Sequence, residues 1–378
     1  MRGPAARLGR DPASPWRHVD VVLVGAVIAI AGLGLLMVLS ASRGDVTSGG
    51  LGATGVVQRQ ALFVIGGVAL AVASTLVDYR LLLQYASVAY GGLLVLLLAV
   101  LSPLGTEVRG TQGWFDLGVF QLQPSELGKV AIIVALAASV ASGRGLLDSR
   151  RLVAALVLVG LPMGLILLQP DLGTMLVFVA TTMGVLLVAG ARPVHIAALT
   201  LAGILGVVGI VQLGVLDDYQ RDRLAVFASP DDDVRRSAYN LTQSKTAIGN
   251  GGLTGTGLFE GSQTKLSYVP EQQTDFIFTV VGEELGFLGG ATLLLLYGVV
   301  GWRIWRAALH ARDFAGSLLC VGVLSMLVFQ VFQNVGMTMG IMPITGIPLP
   351  LVSYGGSSAI TVLLGIGLVM NVHMRRFS

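Results

Sequence analysis

Long apolar runs separated by short polar breaks organise this chain. Strict alternation of polar and apolar positions is not its pattern. Runs lie near 19–41, 57–77, 81–102, 124–142, 152–169, 171–190, 193–213, 276–302, 314–336 and 356–373. Each approaches the roughly 20 residues that a helix needs to cross a hydrocarbon core. Lipid offers no partner to main-chain N–H and C=O groups, so such runs predict helices. A barrel would show shorter, alternating segments. The fold expected is all-α and polytopic, with about ten spans in a single membrane domain over residues 1–378. A short tail, 1–18, precedes the first span, and one large loop, 214–275, separates the seventh from the eighth.

Basic residues give the direction. Arg2, Arg7, Arg10, Arg17, Arg375 and Arg376 sit at the two ends, and Arg80, Arg144, Arg150, Arg151, Arg192, Arg303, Arg306 and Arg312 in turns on the same side. The short loops opposite carry Arg43, Arg59 and Arg109. Both termini are therefore expected in the cytoplasm, and 214–275 outside. The first run is too long for the apolar part of a secretory signal and is expected to stay as an anchor.

Composition narrows the function. Hydrophobic residues make up 54% and charged residues 12%, against about 25% charged in a soluble domain. The net charge of +3 is spread over cytoplasmic turns, which is topology and no nucleic-acid patch. The lone Cys320 excludes a disulfide framework. His18, His195, His310 and His373 are scattered towards the cytoplasmic side, so the external face holds neither a Ser-His-Asp triad nor a histidine zinc site. No phosphate-loop or dinucleotide glycine pattern stands after a strand.

Charges within spans or at their outer ends are costly and mark candidate working sites. Four places qualify. In Gln123-Pro124-Ser125-Glu126-Leu127-Gly128-Lys129, Pro124 suits a helix start, and Glu126 and Lys129 share a helical face; a self-neutralised pair snorkelling to the surface is the plainer alternative. Arg109 and Trp114 lie just before it, outside. In Gln169-Pro170-Asp171-Leu172-Gly173-Thr174, Asp171 can cap the next helix. In Pro270 through Gly286, Asp275 marks the start of the eighth span. Glu283 lies about 80° around the helix from Asp275 and could share a cavity with it, while Glu284 points to another helix. In Gly346 through Ser358, prolines and glycines forbid a regular helix, and N–H groups near Ser353, Gly355, Gly356 and Ser357 could meet an anion. The glycine run 249–257 reads either as a mobile cover or as ordered turns.

The stretches Trp114 through Lys129, Gln169 through Thr174, Tyr239 through Gly257, Pro270 through Gly286 and Asn334 through Ser358 resemble the SEDS family (shape, elongation, division and sporulation). They occur in that family's order and favour its rod shape-determining branch over its division branch. The resemblance implies a peptidoglycan glycosyltransferase in the bacterial cytoplasmic membrane. The implied substrate is lipid II, a disaccharide-pentapeptide on undecaprenyl pyrophosphate; the implied partner is a class B penicillin-binding protein. It assigns the essential carboxylate to Asp275, and carries Glu126, Lys129 and Trp114 over as family positions. Gly113 departs from the basic residue often found there.

For that reaction, an α donor and a β product require inversion. Pyrophosphate leaves without protonation, so one base is enough, and Asp275 is the choice. Lys129 is the buried candidate for leaving-group charge, with Arg109, Arg221, Arg223, Lys245 and Lys265 as weaker external candidates. A divalent cation, Mg²⁺ or Mn²⁺, held by carboxylates could serve instead. Two other readings remain open: a lipid II flippase or transporter, and a scaffold that recruits the penicillin-binding protein.

Overall fold

A computed structural model gives the architecture, describing residues 18–43, 52–108, 111–118, 120–141, 147–212 and 236–376. Every apolar run holds helix. The spanning candidates are α1 (Val21–Arg43), α2 (Ala53–Leu76), α5 (Pro124–Ala141), α6 (Ser149–Leu167), α11 (Ile277–Leu309), α12 (Phe314–Met339) and α13 (Gly356–Met374), each long and apolar enough to cross a membrane. Shorter apolar stretches fall in α4 (Ala86–Val100), α7 (Leu172–Val188) and α8 (Pro193–Gln212). The third run is divided, because α3 (Tyr79–Gln84) ends at Tyr85 before α4 begins.

The core centres on α12 and α13, and α13 packs most closely on α2. Small residues make that approach possible. A Cβ on Gly367 would lie 2.6 Å from Ala71 Cα, and one on Gly67 2.6 Å from Leu363 Cδ1. Asn371 then donates to the main-chain oxygens of Ser74 and Val77 at 2.5 and 2.6 Å.

Ion pairs and hydrogen bonds define two ends of the bundle. At one, Asp20 meets Arg303 at 2.6 Å, Asp313 meets Arg80 at 3.0 Å, and Asp78 meets Arg375 at 3.6 Å. This gathers the start of α1, the α2–α3 junction, the α11–α12 turn and the end of α13. At the other end, Ser42 joins Gln273, Gln60 joins Ser353 and Gly355, Gln123 joins Asp171, and Asn334 joins Asp275. All four candidate places lie at this second end.

Two features there go beyond the sequence expectation. One is a small antiparallel sheet, β1 (Thr106–Val108), β2 (Thr111–Asp116) and β3 (Gln121–Leu122), in the order β1-β2-β3. The other is helical structure within the long loop: α9 (Arg236–Gly251) and α10 (Ser262–Lys265). The α9 helix is fixed to the bundle by Ser244, whose hydroxyl lies 2.7 Å from Thr279 Oγ1 and donates to Thr338 O at 2.8 Å.

The glycine run takes the ordered form. Helix α11 breaks at Gly286, φ 64°. The run fills the break with main-chain pairs: Thr256 N to Glu283 O, Gly257 N to Glu284 O, Phe287 N to Gly252 O and Leu288 N to Leu253 O, all 2.9–3.1 Å. A Cβ on Gly255 (φ 83°) would stand 2.1 Å from Glu284 O, and one on Gly286 would stand 2.2 Å from Gly255 N. Only glycine lets two backbones meet so closely with these dihedrals.

Candidate functional site

Pro124 opens α5, as its missing N–H permits. One turn on, Glu126 and Lys129 are 5% and 2% exposed, and Lys129 Nζ donates to Glu126 Oε1 at 2.5 Å. The pair is buried, so it does not snorkel. A lone buried ammonium would be prohibitive, and the Glu126 carboxylate supplies the partner that Lys129 needs there. Glu126 Oε2 has no hydrogen-bond partner among the described residues.

Asp171 caps α7, as expected, and also ties α7 to α5. Its Oδ1 accepts from Thr174 N at 2.9 Å. Its Oδ2 accepts from Thr174 Oγ1 at 2.7 Å, Gln123 Nε2 at 3.0 Å and Ser125 Oγ at 3.3 Å. Next to it, Gly173 abuts the 345–347 backbone, where a Cβ would meet Thr345 O at 2.8 Å.

Asp275 is half-buried in the turn that starts α11. Its main-chain oxygen accepts from Asn334 Nδ2 at 2.8 Å, and the same amide donates to Ile347 O at 2.8 Å. Around it, Gln272 donates to Ala41 O and Thr264 O, and Tyr354 N donates to Gln273 O. The Asp275 turn and the Glu126–Lys129 pair are therefore joined through a chain of contacts: Asn334, Ile347 and Thr345, Gly173 and Asp171, then Ser125.

The 343–358 segment is irregular, with positive φ at Gly346 and Leu351. Its N–H groups are more committed than expected. Ser353 N donates to Leu349 O and Gly355 N to Gln60 Oε1 at 3.1 Å. Ser353 Oγ accepts from Leu349 N at 2.8 Å. Ser357 Oγ accepts from Gln123 N and donates to Gln121 O, both 3.1 Å. Ser353 and Ser357 thus hold the segment to α2, β3 and α5, and the amides of Ser353 and Gly355 are spent on that packing instead of facing an anion.

Glu283 is also recast. Its carboxylate accepts from Gln263 N at 2.8 Å, Thr264 N at 3.0 Å and Thr264 Oγ1 at 2.7 Å. These are the donors at the start of α10, so the buried carboxylate anchors the loop where a cavity shared with Asp275 was expected. Glu284 meets another helix as expected, through the hydroxyl of Ser40.

The remaining cations are peripheral. Lys245 is exposed on α9 and lies over Gly340. Lys265 pairs with Glu260 at 2.7 Å and holds that carboxyl below its ordinary range. Arg43 stacks on Phe259 at 3.9 Å. Arg109, Arg221 and Arg223 lie outside the described residues. Trp114 is part-buried on β2, opposite Thr106, whose hydroxyl donates to Trp114 O at 3.1 Å.

Gln330 on α12 adds a further buried polar group at this end. It is 0% exposed, and neither end of its amide has a hydrogen-bond partner among the described residues. Gly322 of α12 faces Ile133 of the oppositely directed α5. At about 1.5 Å per residue, Gln330 stands level with Glu126. Buried polar atoms without partners call for water or a ligand group. Glu126 Oε2, Gln169 Oε1, Asn334 Oδ1 and Thr345 Oγ1 are in the same condition at this end. Among the described residues no group of three His, Cys, Asp or Glu side chains converges on a metal position.

A family model for the FtsW, RodA and SpoVE cell cycle proteins matches residues 21–377. Stage V sporulation protein E of Bacillus subtilis (strain 168) is 39% identical over 356 residues, covering 93% of this chain and 96% of its own. Peptidoglycan glycosyltransferase MrdB of Escherichia coli (strain K12) is 34% identical over 362 residues, covering 95% and 94%. Among solved structures, a chain of a peptidoglycan synthase complex that coordinates polymerization and crosslinking superposes with a TM-score of 0.80 at 34% identity, covering 95% of this chain and 99% of that one. The rod shape determining protein RodA of Thermus thermophilus gives 0.71 at 33% identity, covering 96% and 99%. This chain belongs to the FtsW, RodA and SpoVE family of cell cycle proteins, the SEDS membrane proteins.

Proposed function

We propose that this protein is a peptidoglycan glycosyltransferase of the bacterial cytoplasmic membrane, polymerising lipid II at the outer face during cell elongation. Its termini are cytoplasmic, and about ten spans cross the bilayer. The observation that carries this reading is the buried Glu126–Lys129 pair at the same end of the bundle as Asp275, where further buried polar atoms also have no partner among the described residues.

In this account Asp275 removes the proton from the 4-hydroxyl of the lipid II acceptor as that oxygen attacks the donor's anomeric carbon. The carbon–oxygen bond to pyrophosphate breaks on the opposite face, and the centre inverts. Lys129 receives the charge that develops on pyrophosphate. Glu126 holds Lys129 in place before substrate arrives, so little reorganisation is left for the reaction itself. Asn334 positions the Asp275 turn without touching the reacting atoms. Glu126, whose Oε2 has no partner among the described residues, is the site carboxylate that could contribute to holding Mg²⁺ or Mn²⁺, and such an ion would supply charge neutralisation to the leaving group. A class B penicillin-binding protein is the partner that cross-links the product.

The test is to give purified protein, with that partner, labelled lipid II and to resolve products on a gel. Long glycan supports the polymerase. Translocated lipid II without polymer makes the protein a flippase, and partner binding with neither activity makes it a scaffold.

A further inference from the structure

Five glutamines are buried among the described residues: Gln60, Gln169, Gln272, Gln330 and Gln333. Four of them tie segments together. Gln60 donates to Ser353 O, Gln169 to Leu97 O, Gln272 to Ala41 O and Gln333 to Pro343 O. Gln330 differs, because neither its amide nitrogen nor its amide oxygen has a partner among the described residues. A buried threonine can turn its hydroxyl back onto its own helix, as Thr182 does to Phe178 O at 2.7 Å. The longer glutamine stem carries its amide away from the helix. An unsatisfied buried amide weakens the fold. A residue that bears this cost and stitches nothing together is expected to serve a ligand.

Helix geometry shows where the amide is carried. Gly322 of α12 faces Ile133 of α5, and Val323 and Met326 of α12 face Gly365 of α13. At about 100° per residue, Gln330 lies about 80° around α12 from Gly322 and about 20° from Val323. It therefore stands on the part of α12 that faces α13 and adjoins the part that faces α5. By the same count Glu126 and Lys129 lie about 20° and about 40° from Ile133, on the face of α5 turned towards α12. Thr361 lies about 40° from Gly365 on the face of α13 turned towards α12. The hydroxyl of Thr361 and Oε2 of Glu126 are buried there, and neither has a partner among the described residues.

We propose, resting on the glycosyltransferase reading for the substrate, that Gln330 binds the pyrophosphate of the lipid-linked donor, with Nε2 donating to a phosphate oxygen beside Lys129. Matched one to one, Glu126 and Lys129 carry no net charge, so the pair alone is a weak trap for an anion. Phosphate oxygens accept, so Nε2 is the end of the amide that meets them. Oε1 is left to accept from Lys129 Nζ, which gives one of its three hydrogens to Glu126. A primary amide adds a donor without adding a charge. The balance of the buried pair is kept, and the anion gains a directional, charge-assisted contact.

Full-length protein in detergent tests this by equilibrium binding of undecaprenyl pyrophosphate and of undecaprenol, which shares the chain and lacks the phosphates. Wild type should prefer the pyrophosphate. Gln330→Met keeps the length of the side chain and removes its hydrogen bonds. It should melt no lower than wild type and bind undecaprenyl pyrophosphate about tenfold more weakly, with its affinity for undecaprenol unchanged. Gln330→Glu sets a charge of the phosphate's own sign there and should weaken binding further. A Gln330→Met variant that keeps the wild-type preference overturns the proposal. So does one that melts well below wild type, because the amide would then be satisfied in the resting fold, and so does an equal loss of undecaprenol, which would be a packing effect. Glycan formation from lipid II separates this contact from the reading it rests on. Wild type that prefers the pyrophosphate and makes no glycan overturns the polymerase and supports the contact. Glycan made by Gln330→Met at the wild-type kcat/KM, with the preference intact, overturns the contact alone.

Discussion

The side-chain amide of Asn334 donates to the main-chain oxygen of Asp275 at 2.8 Å, across 59 positions of sequence. One NH₂ group thereby fixes both the turn that carries Asp275 and, through Ile347 O, the irregular segment beside it. Asn334→Ala removes the side-chain donor from the carbonyls of Asp275 and Ile347, a cost of about 1–3 kcal/mol. The expected outcome is that polymerisation per folded molecule falls more than tenfold, because the base is displaced. Melting in detergent measures the folded fraction, and labelled lipid II measures the rate. A rate that falls only in step with the folded fraction makes Asn334 structural and nothing more.

Lys129→Ala strands Glu126 as a buried charge, which costs about 3–5 kcal/mol when one partner of such a pair is removed. Glu126→Gln with Lys129→Ala removes both charges and should recover much of that stability without restoring polymer formation. Thermal unfolding of Lys129→Ala, Glu126→Gln and the double variant checks the first statement through their non-additivity. Activity of the double variant checks the second. A double variant that polymerises normally would remove the leaving-group role from Lys129.

Glu283 has a structural task, so its variant should behave differently. In Glu283→Ala the amides of Gln263 and Thr264 lose their acceptor, at about 1–3 kcal/mol. The 249–267 region should become the first site of limited proteolysis, with melting lowered. Residual activity per folded molecule should exceed that of Asp275→Ala. Proteolysis unchanged from wild type would contradict the anchoring role.

Asp313 gives a pH signature away from the site. Burial raises its pKa, but the Tyr79 hydroxyl, the Gly316 amide and the Arg80 guanidinium outweigh that, and the net shift is down. A depressed carboxylate contributes stability that is present above the unfolded-state value of about 3.9 and is lost as pH falls through the folded value. Wild type should therefore lose melting temperature as pH falls below about 4. Asp313→Asn should start lower and change less over the same window. Parallel melting curves would show that the α11–α12 turn has no part in acid sensitivity.

The helices were legible because continuous apolar runs leave lipid-spanning backbone no alternative. The Glu126–Lys129 face and the Asp171 cap were legible too, since both depend on spacing within one helix. What escaped depends on contacts between distant segments. Glu283 was placed by its angle from Asp275, yet its partners sit at 263–264, and the helix breaks at Gly286 to let them approach. The strands at 106–122 hold two to six residues each, too few for a period of two to stand out. Gln330 carries no local signal, being one polar residue on an otherwise apolar helix. Only packing reveals that both ends of its amide are buried without a partner. The amides of Ser353 and Gly355 seemed open because Gln60, which takes one of them, lies almost 300 positions away.

The most direct test is the rate of glycan formation from labelled lipid II by wild type, Asp275→Asn and Asp275→Ala, at matched folded fraction and with the cross-linking partner bound. Asp275→Asn keeps the size and the main-chain contact to Asn334 while removing the base. The account predicts that both variants still bind partner and lipid II but make no long glycan. Polymer made by Asp275→Asn at near the wild-type rate would contradict it, because the carboxylate would then take no proton.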